Sequence, residues 1–284
     1  MPFAKQTYQA LEQDLSIQIY NERNILRSLF NHREENDWQL RTSEPGYEQY
    51  MLDEADLGPY LDHTVQAFSY GEVQHCAQVN LPVLTKTYQK RLMEAGRYLA
   101  ESFDYKKLKI ASGKVQYKDH QAQGIIFCEG YNVVHNPYFN YLPYGGAKGE
   151  VLIIKVENVD FEKILKHRVF ITPLGDQLYW IGASYDWNFE DDLPTSKGKS
   201  FLVDRLNDFL KVPYQIVEHK AAIRPTVKDR RPFLGKHPQL NGLFLFNGLG
   251  TKGASLGPFW ANAMAEYLST GKPLDASVNI TRFA

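Results

Sequence analysis

The chain has 284 residues, 43% of them hydrophobic and 23% charged, a balance typical of a soluble globular protein with one or two domains. The formal net charge of −1, with Lys and Arg scattered along the chain, argues against nucleic acid or an anionic membrane as partner. There is no apolar run of the ~20 residues that a membrane span needs, and the N-terminus lacks the apolar region of a signal peptide. Two isolated cysteines fit a reducing compartment, so we predict a cytoplasmic protein.

The first 67 residues predict one helix followed by mixed, polar structure. Apolar side chains at Tyr8, Leu11 and Leu15 recur at helical spacing. The next stretch, from Tyr20, fits a strand or a helix equally well. From Asn31 to Gln66 the composition predicts surface loops and short helices.

Residues 68–148 predict alternating strands and helices. FSYGEVQHCAQVN, from Phe68, indicates a β-hairpin or a strand pair, and a long helix begins at Leu81 and stops at Gly96. RYLAESF, from Arg97, indicates a strand. Two or three more strands follow, the last being GIIFC before Gly130, and then a loop rich in Tyr, Asn, Pro and Gly.

Residues 149–220 predict antiparallel sheet. GEVLIIKV, from Gly149, is apolar throughout, which is typical of a strand buried on both faces. A hairpin is expected over His167–Trp187, with its turn at Leu174-Gly175-Asp176. A short helix and a strand around Tyr214–His219 complete the block. The change along the chain from alternating strands and helices to antiparallel sheet predicts an α/β fold with interleaved domains.

Known catalytic motifs contribute little to the assignment. The sequence contains no HExxH, P-loop or GxSxG motif and no Cys/His metal spacing, so we predict neither a metal site nor a catalytic side chain. The eight histidines are dispersed and are expected to be structural or surface residues. The carboxylates Glu190, Asp191 and Asp192 are expected to form a solvated turn.

The C-terminal block is the exception. A short apolar strand leads into a loop with four glycines and then a helix, whose apolar stripe is expected at Trp260, Met264, Tyr267 and Leu268. The loop is either a tight strand-to-helix turn that needs positive φ angles or a place where a planar ligand approaches the backbone.

Several stretches of the sequence, in their order along the chain, resemble the FAD-dependent D-amino-acid oxidase family, which includes glycine oxidase and sarcosine oxidase. They are IRPTVKDRRPFLG, GLFLFNGLGTKGASLGP with its closing helix, and, earlier, GIIFCEGYNV, KGEVLII and ITPLGDQLYWIGAS. The resemblance implies an α/β fold with interleaved α+β, that is, an incomplete Rossmann-like FAD-binding domain plus an antiparallel-sheet substrate domain. The implied blocks are 1–67 (first part of the substrate domain), 68–148 (partial FAD-binding domain), 149–220 (substrate domain) and 221–284 (last part of the FAD-binding domain).

The resemblance also implies an activity and residue roles. An amino acid or secondary amine would be oxidised by hydride transfer to flavin N5. Arg224 would bind the substrate carboxylate, although a salt bridge between domains is the alternative. Gly130 would pack close to the cofactor, while Cys128 and Glu129 stand where the family prefers Ala or Thr. The turn facing the flavin ring would comprise Gly248, Leu249, Gly250, Thr251, Lys252 and Gly253.

One family element is missing from residues 1–284, the strand and GxGxxG turn that bind the FAD pyrophosphate. We therefore expect either a naturally truncated chain or part of a longer protein, and weak FAD binding by the chain alone. The alternative function is a cofactor-free, non-catalytic remnant of the family, and a nicotinamide-dependent dehydrogenase is a weaker third reading. The implied partner is a small amine or amino acid, and homo-oligomerisation remains open.

Overall fold

The computed structural model describes residues 2–111 and 113–283, which divide into two compact units. The first unit comprises residues 1–20, 79–147 and 223–284, and the second comprises residues 21–78 and 148–222. The α-helices are α1 (Pro2–Leu15), α2 (His32–Thr42), α3 (Tyr60–His63), α4 (Leu81–Glu94), α5 (Ser196–Asn207) and α6 (Gly253–Thr270).

The strands are short, apart from two that run across a unit boundary. They are β1 (Tyr20–Glu22), β2 (Ile25–Leu29), β3 (Met51–Leu52), β4 (Ser69–Val73), β5 (Ala77–Val79), β6 (Leu108–Ala111), β7 (Lys114–Tyr117), β8 (His120–Ala122), β9 (Ile125–Phe127), β10 (Tyr144–Lys155), β11 (Ile164–Lys166), β12 (Phe170–Gly175), β13 (Leu178–Gly182), β14 (Gln215–Val227), β15 (Phe233–Lys236) and β16 (Leu243–Asn247). The chain passes from one unit to the other within β1, β5, β10 and β14, whose residues are divided between the two.

The first unit contains two small sheets and three long helices. One sheet has the order β15-β16-β9, in which β15 and β16 are antiparallel and β16 and β9 are parallel. The other is the antiparallel meander β6-β7-β8. Apolar side chains of both sheets share one core, which includes Leu108, Val115, Phe127, Phe233 and Leu245.

The second unit is built on a mixed sheet of eight strands in the order β14-β10-β13-β12-β11-β2-β4-β3. The hairpin β12–β13 turns at Asp176 and Gln177, both with positive φ, as a tight two-residue turn requires. Helix α5 packs Leu202 and Leu206 into the core. Its N-terminus is capped by Thr195, whose Oγ1 accepts a hydrogen bond from the Gly198 N–H at 3.0 Å.

Helix boundaries follow the sequence signals closely. Helix α4 begins after Asn80, which caps the Val83 N–H at 3.2 Å, and ends before Gly96 at φ +65°. Helix α6 ends at Gly271, whose φ of +77° and hydrogen bond to the Tyr267 carbonyl make a left-handed cap. These ends are specified by single residues, so they could be predicted locally.

Several strand predictions were wrong or incomplete. Residues 97–103 form no strand, since no neighbouring strand pairs with them among the described residues. Strands β4 and β5 are not a hairpin, because β4 pairs with β2 and β3 while β5 pairs with β1. The stretch from Tyr20, for which a strand and a helix were equally compatible with the sequence, forms strands β1 and β2. Four strands, β6 to β9, precede Gly130, where two or three were expected. Strand β14 extends to Val227, beyond the strand predicted around Tyr214–His219.

The structure also corrects two finer expectations. Residues 1–20 cluster with residues 79–147 rather than with the rest of the 1–67 block, and β4 belongs to the sheet of the second unit. On α6, Met264 is buried but Leu268 is 41% exposed, because the helix buries a narrower stripe than its composition suggests.

Candidate functional site

The glycine turn between β16 and α6 is shaped by two left-handed residues. Gly248 has a φ of +76°, and a Cβ built on it would lie 2.8 Å from Cγ1 of the buried Val227. Gly250 has a φ of +56° but has room for a Cβ, whose nearest atoms would be 3.9 Å away or farther. Glycine at position 248 is therefore required by both conformation and space.

A buried amide joins this turn to the loop that follows β9. Asn247, only 4% exposed, donates from Nδ2 to the Gly130 carbonyl oxygen at 2.9 Å, and its Oδ1 accepts from the Gly248 N–H at 2.7 Å. Gly130 itself has a φ of +59°. The two glycine segments predicted for one site thus lie together, and Asn247 is a residue that sequence reasoning missed. Its only signal was a polar side chain at the end of the apolar run FLF.

The Arg-Pro segment on β14 lies beside the same turn. A Cβ built on Gly250 would be 3.9 Å from the Pro225 carbonyl oxygen and 4.0 Å from Cγ2 of Thr226. Arg224 is half-buried, and its Nη1 donates to the Ala147 carbonyl oxygen at 3.4 Å. The structure thus places the segment that carries Arg224 next to the glycine turn, within the first unit.

Helix α6 begins at this turn without a side-chain cap among the residues described. The Lys252 N–H donates to the Leu249 carbonyl oxygen at 3.1 Å, and the Ser255 hydroxyl donates back to the Lys252 carbonyl oxygen at 3.1 Å. The Thr251 and Lys252 side chains are exposed. Because the N-terminus of a helix carries a partial positive charge, this end of α6 favours an electron-rich group.

The loop after β9 carries a second polar cluster. The Glu129 carboxylate accepts hydrogen bonds from the Tyr105 hydroxyl and, at 2.8 Å, from Nδ2 of Asn136. Burial, and then the bond to Glu129, raises the pKa of the Tyr105 hydroxyl. Desolvation by neighbouring groups raises the pKa of the Cys128 thiol although the residue as a whole is exposed, so this thiol is unlike an activated nucleophile.

The second unit contains a buried carboxylate that the sequence did not single out. Glu150 accepts hydrogen bonds from Thr195 N (2.9 Å), Thr195 Oγ1 (2.7 Å) and His219 Nε2 (2.8 Å). It lies where α5 begins, so the helix N-terminus and His219 both stabilise its charge. This network ties β10 and β14 to α5 inside the second unit.

The carboxylates at 190–192 are more than a solvated turn. Asp191 accepts from the Leu193 N–H at 3.0 Å and from Nζ of the buried Lys148 at 3.1 Å. These two contacts, the backbone N–H first, lower the pKa of the Asp191 carboxyl. Residues 190–192 are exposed, as predicted for a solvated turn, and Asp191 in addition pairs with the buried Lys148.

Residues 2–111 and 113–283 offer neither a metal site nor a membrane span. These residues contain no group of His, Cys, Asp and Glu that could hold a metal ion. Within the same ranges, no helix has both the length and the apolar character to cross a membrane.

Solved structures with this fold include two oxidases, named for glycine and for iminodiacetate, and an L-proline dehydrogenase. Glycine oxidase from Geobacillus kaustophilus aligns with a TM-score of 0.80 and 19% identity, covering 99% of this chain and 80% of that chain. Iminodiacetate oxidase from Chelativorans sp. BNC1 aligns with a TM-score of 0.76 and 18% identity, covering 99% of this chain and 82% of that chain. At these identities the similarity establishes the fold.

Two comparisons of sequence complete the assignment. The chain is 29% identical over 112 residues to the tRNA 5-methylaminomethyl-2-thiouridine biosynthesis bifunctional protein MnmC of Marinobacter nauticus, a match that spans 35% of this chain and 17% of that protein. The model of the family described as FAD dependent oxidoreductase (DAO) matches residues 3–267. The chain therefore belongs to the DAO family of FAD dependent oxidoreductases.

Proposed function

We propose that the protein oxidises a small amino acid or secondary amine with FAD as cofactor. The observation that carries the proposal is the convergence, in one unit, of three segments, the most distant of which, at Gly130 and Asn247, are 117 residues apart in the sequence. Asn247 holds the Gly130 loop to the glycine turn, and the segment with Arg224 runs beside that turn.

The residues of the turn fit the ring end of a flavin. The turn combines left-handed glycines at 248 and 250 with a helix start that has no side-chain cap among the described residues, so a planar group can approach backbone N–H donors. Lys252 adds an exposed cation at the helix start. The residues that would hold the ring are Gly130 and Gly248, Leu249, Gly250, Thr251, Lys252 and Gly253.

FAD, when bound, supplies the chemistry by accepting at its N5 atom a hydride from the carbon next to the substrate amine. The chain supplies orientation and charge. Arg224 binds the substrate carboxylate, since a guanidinium can pair with both carboxylate oxygens and fix the substrate's direction. Lys252 and the start of α6 stabilise negative charge at the turn. No side chain is needed as a general base in this scheme.

Titration of the purified chain with FAD tests the proposal. Binding would be measured as quenching of flavin fluorescence and as thermal stabilisation of the protein. Lys252→Gln provides a matched probe of the turn, because the residue is exposed and its backbone contacts do not depend on the side chain. We expect weaker FAD binding in that variant than in Lys199→Gln, which alters an exposed lysine of the second unit.

The alternative is a cofactor-free remnant, which is favoured by the lack of a GxGxxG turn in residues 1–284. It predicts no quenching and no stabilisation at any FAD concentration. Bound flavin that glycine, sarcosine or iminodiacetate reduces would exclude the remnant. If flavin binds but none of these amines reduces it, the proposed cofactor site would stand and the proposed substrate class would be wrong.

A further inference from the structure

A cavity of about 420 Å³ opens on the surface of the second unit. All of its lining residues belong to that unit, whereas Arg224 and the glycine turn belong to the first. Cavities of ~300–1,000 Å³ are the size that binds small molecules in proteins. The lining comes from the end of β2, the loop before β4, the connection between β11 and β12 and the end of α5. It includes Phe30, Val65, Phe68, Arg168, Asp208 and Phe209.

Backbone pairing holds the loop wall of the cavity against the end of α5. The Val65 N–H donates to the Phe209 carbonyl oxygen at 2.6 Å. Beside it, an antiparallel bridge joins Thr64 to Leu210. Because paired backbone opens less readily than an unpaired surface loop, the cavity is a fixed feature of the second unit.

Large apolar side chains form much of the lining. Phe30, Val65 and Phe68 are between 40% and 49% exposed, so three of them stay in contact with water at one place. The His167 ring lies 4.9 Å from the Phe30 ring and 4.6 Å from the Phe209 ring, measured between centroids. Exposed apolar side chains that cluster in this way mark a binding surface, and these suit an aromatic or branched apolar group.

The cavity also presents one positive and one negative side chain next to each other. Nη1 of Arg168 donates to Oδ2 of Asp208 at 3.4 Å, and both side chains are about half-exposed. An exposed ion pair contributes little to stability, so a ligand that carries both charges can replace it. Nη1 of Arg205 lies 3.8 Å from the same Asp208 oxygen, so Asp208 keeps a cationic neighbour when Arg168 contacts a ligand.

His167 adds a neutral ring to this lining. Its Nδ1 is 2.9 Å from the Ser28 hydroxyl oxygen. Burial, and then the Arg168 charge, lowers the pKa of His167 to about 4. The imidazole is therefore uncharged near pH 7, and the charges of the lining are those of Arg168 and Asp208.

We propose that this cavity binds an α-amino acid with an apolar side chain, its carboxylate on Arg168, its ammonium group on Asp208 and its side chain against the aromatic wall. Charge complementarity selects a zwitterion. The carboxylate and the ammonium group of an amino acid are attached to one carbon, so they are close enough together to meet both members of the ion pair. The proposal does not depend on FAD binding or on the proposed reaction.

Probes that share a benzene ring test the charge requirement. A ligand-observed NMR titration of the full chain, with no flavin added, compares L-phenylalanine with 3-phenylpropanoate, which lacks the ammonium group, and 2-phenylethylamine, which lacks the carboxylate. L-leucine is a second amino acid with an apolar side chain. We expect L-phenylalanine to bind about tenfold more tightly than either analogue, because each analogue leaves one member of the ion pair without a ligand partner.

Two variants remove the charges one at a time. Arg168→Gln should weaken L-phenylalanine binding about tenfold and leave the affinity for 2-phenylethylamine nearly unchanged, because that probe has no carboxylate. Asp208→Asn should weaken L-phenylalanine binding to a similar extent and leave the affinity for 3-phenylpropanoate nearly unchanged. Both residues are half-exposed, and circular dichroism verifies that the variants are folded.

Three further variants locate the binding. Phe68→Ala removes part of the apolar wall without changing a charge, so it should weaken all the probes by a similar factor. Lys199→Gln alters an exposed lysine of the same unit outside the cavity and should bind as the wild type does. Arg224→Ala should also bind L-phenylalanine normally, which distinguishes this cavity from the proposed substrate site.

The same titrations provide the contrary results. The proposal is overturned by no binding of either amino acid, by equal affinities for L-phenylalanine and its two analogues, or by unchanged binding in both Arg168→Gln and Asp208→Asn. Loss of binding in Arg224→Ala would also overturn it, because the amino acid would then occupy the first unit. Dimers of the chain that Phe68→Ala dissociates would show instead that a second copy covers the cavity. No flavin is present, so the outcome is separate from that of the FAD titration.

Discussion

Gly248 is the most constrained residue of the glycine turn, and Gly248→Ala is expected to destabilise the first unit strongly. Two costs add at this position. An L-residue at a φ of +76° costs about 1–2 kcal/mol, and the new methyl group, 2.8 Å from Val227 Cγ1, adds an overpacking cost of about 1–3 kcal/mol. The free energy of unfolding should therefore fall by about 2–5 kcal/mol.

Gly250→Ala is the matched control, because its φ of +56° carries the first cost while its Cβ would have no atom closer than 3.9 Å. We expect a loss of about 1–2 kcal/mol there. Combining Gly248→Ala with Val227→Ala should recover about 1–3 kcal/mol relative to the sum of the two single changes, since the overlap is then gone.

Urea unfolding is the assay, with hydrogen exchange used to follow peptides of the first unit separately from those of the second. This separation is needed because two units need not unfold together. If Gly248→Ala and Gly250→Ala are equally mild, or if the double variant shows no coupling, the close packing of Gly248 against Val227 is refuted.

Three further outcomes are expected. Arg224→Ala should raise KM for a carboxylate-bearing amine by about a hundredfold or more with flavin content unchanged, and Arg224→Lys should lie between; unchanged kinetics would remove the carboxylate role. Gly198→Ala should lower the free energy of urea unfolding by about 2–4 kcal/mol, because its methyl group would displace the hydrogen-bonded Glu150 carboxylate. Gly257→Ala is the control and should be neutral or stabilising, because the atom nearest to its new Cβ would be 3.7 Å away. Equal effects of the two changes would argue against the Glu150 network. Burial, and then the Arg168 charge, lowers the pKa of His167 to about 4. As the pH falls below ~6.5, the unfolded state takes up the proton first, and stability falls by about 1–2 kcal/mol towards pH 4, less than the full linkage value because the side chain is only half-buried and partly screened by solvent. His167→Gln should lose less stability over that range, and an identical pH profile would contradict the assignment.

The sequence predicted the elements whose signals are local. The hairpin β12–β13, the stop of α4 at Gly96 and the strand–turn–helix around Gly248 depend on neighbouring residues, and all three are present. The antiparallel character of the sheet in the second unit followed from alternation and turn signals in the same way. By contrast, strand partners depend on distant segments, which is why β4 and β5 were wrongly paired with each other.

The candidate site shows the same limit. Glycines with positive φ could be anticipated from the turn. The only local signal of Asn247 is a polar side chain after an apolar run, and this does not reveal that its amide connects segments 117 residues apart. Likewise, the role of Glu150 depends on its hydrogen bonds from Thr195 and His219, which lie far along the chain. Arg224 was found through a resemblance, and its role as a carboxylate ligand stays a prediction.

Anaerobic reduction of the flavin bound to the chain tests most directly whether the protein oxidises amines. FAD-loaded protein is mixed with glycine, sarcosine or iminodiacetate, and the absorbance of the oxidised flavin is followed. We expect bleaching by at least one of these amines in the wild-type chain and in Lys199→Gln, and much slower bleaching in Arg224→Ala at equal flavin content. A loaded protein that none of the amines reduces, or an Arg224→Ala variant that is reduced as fast as the wild type, would contradict the proposed function.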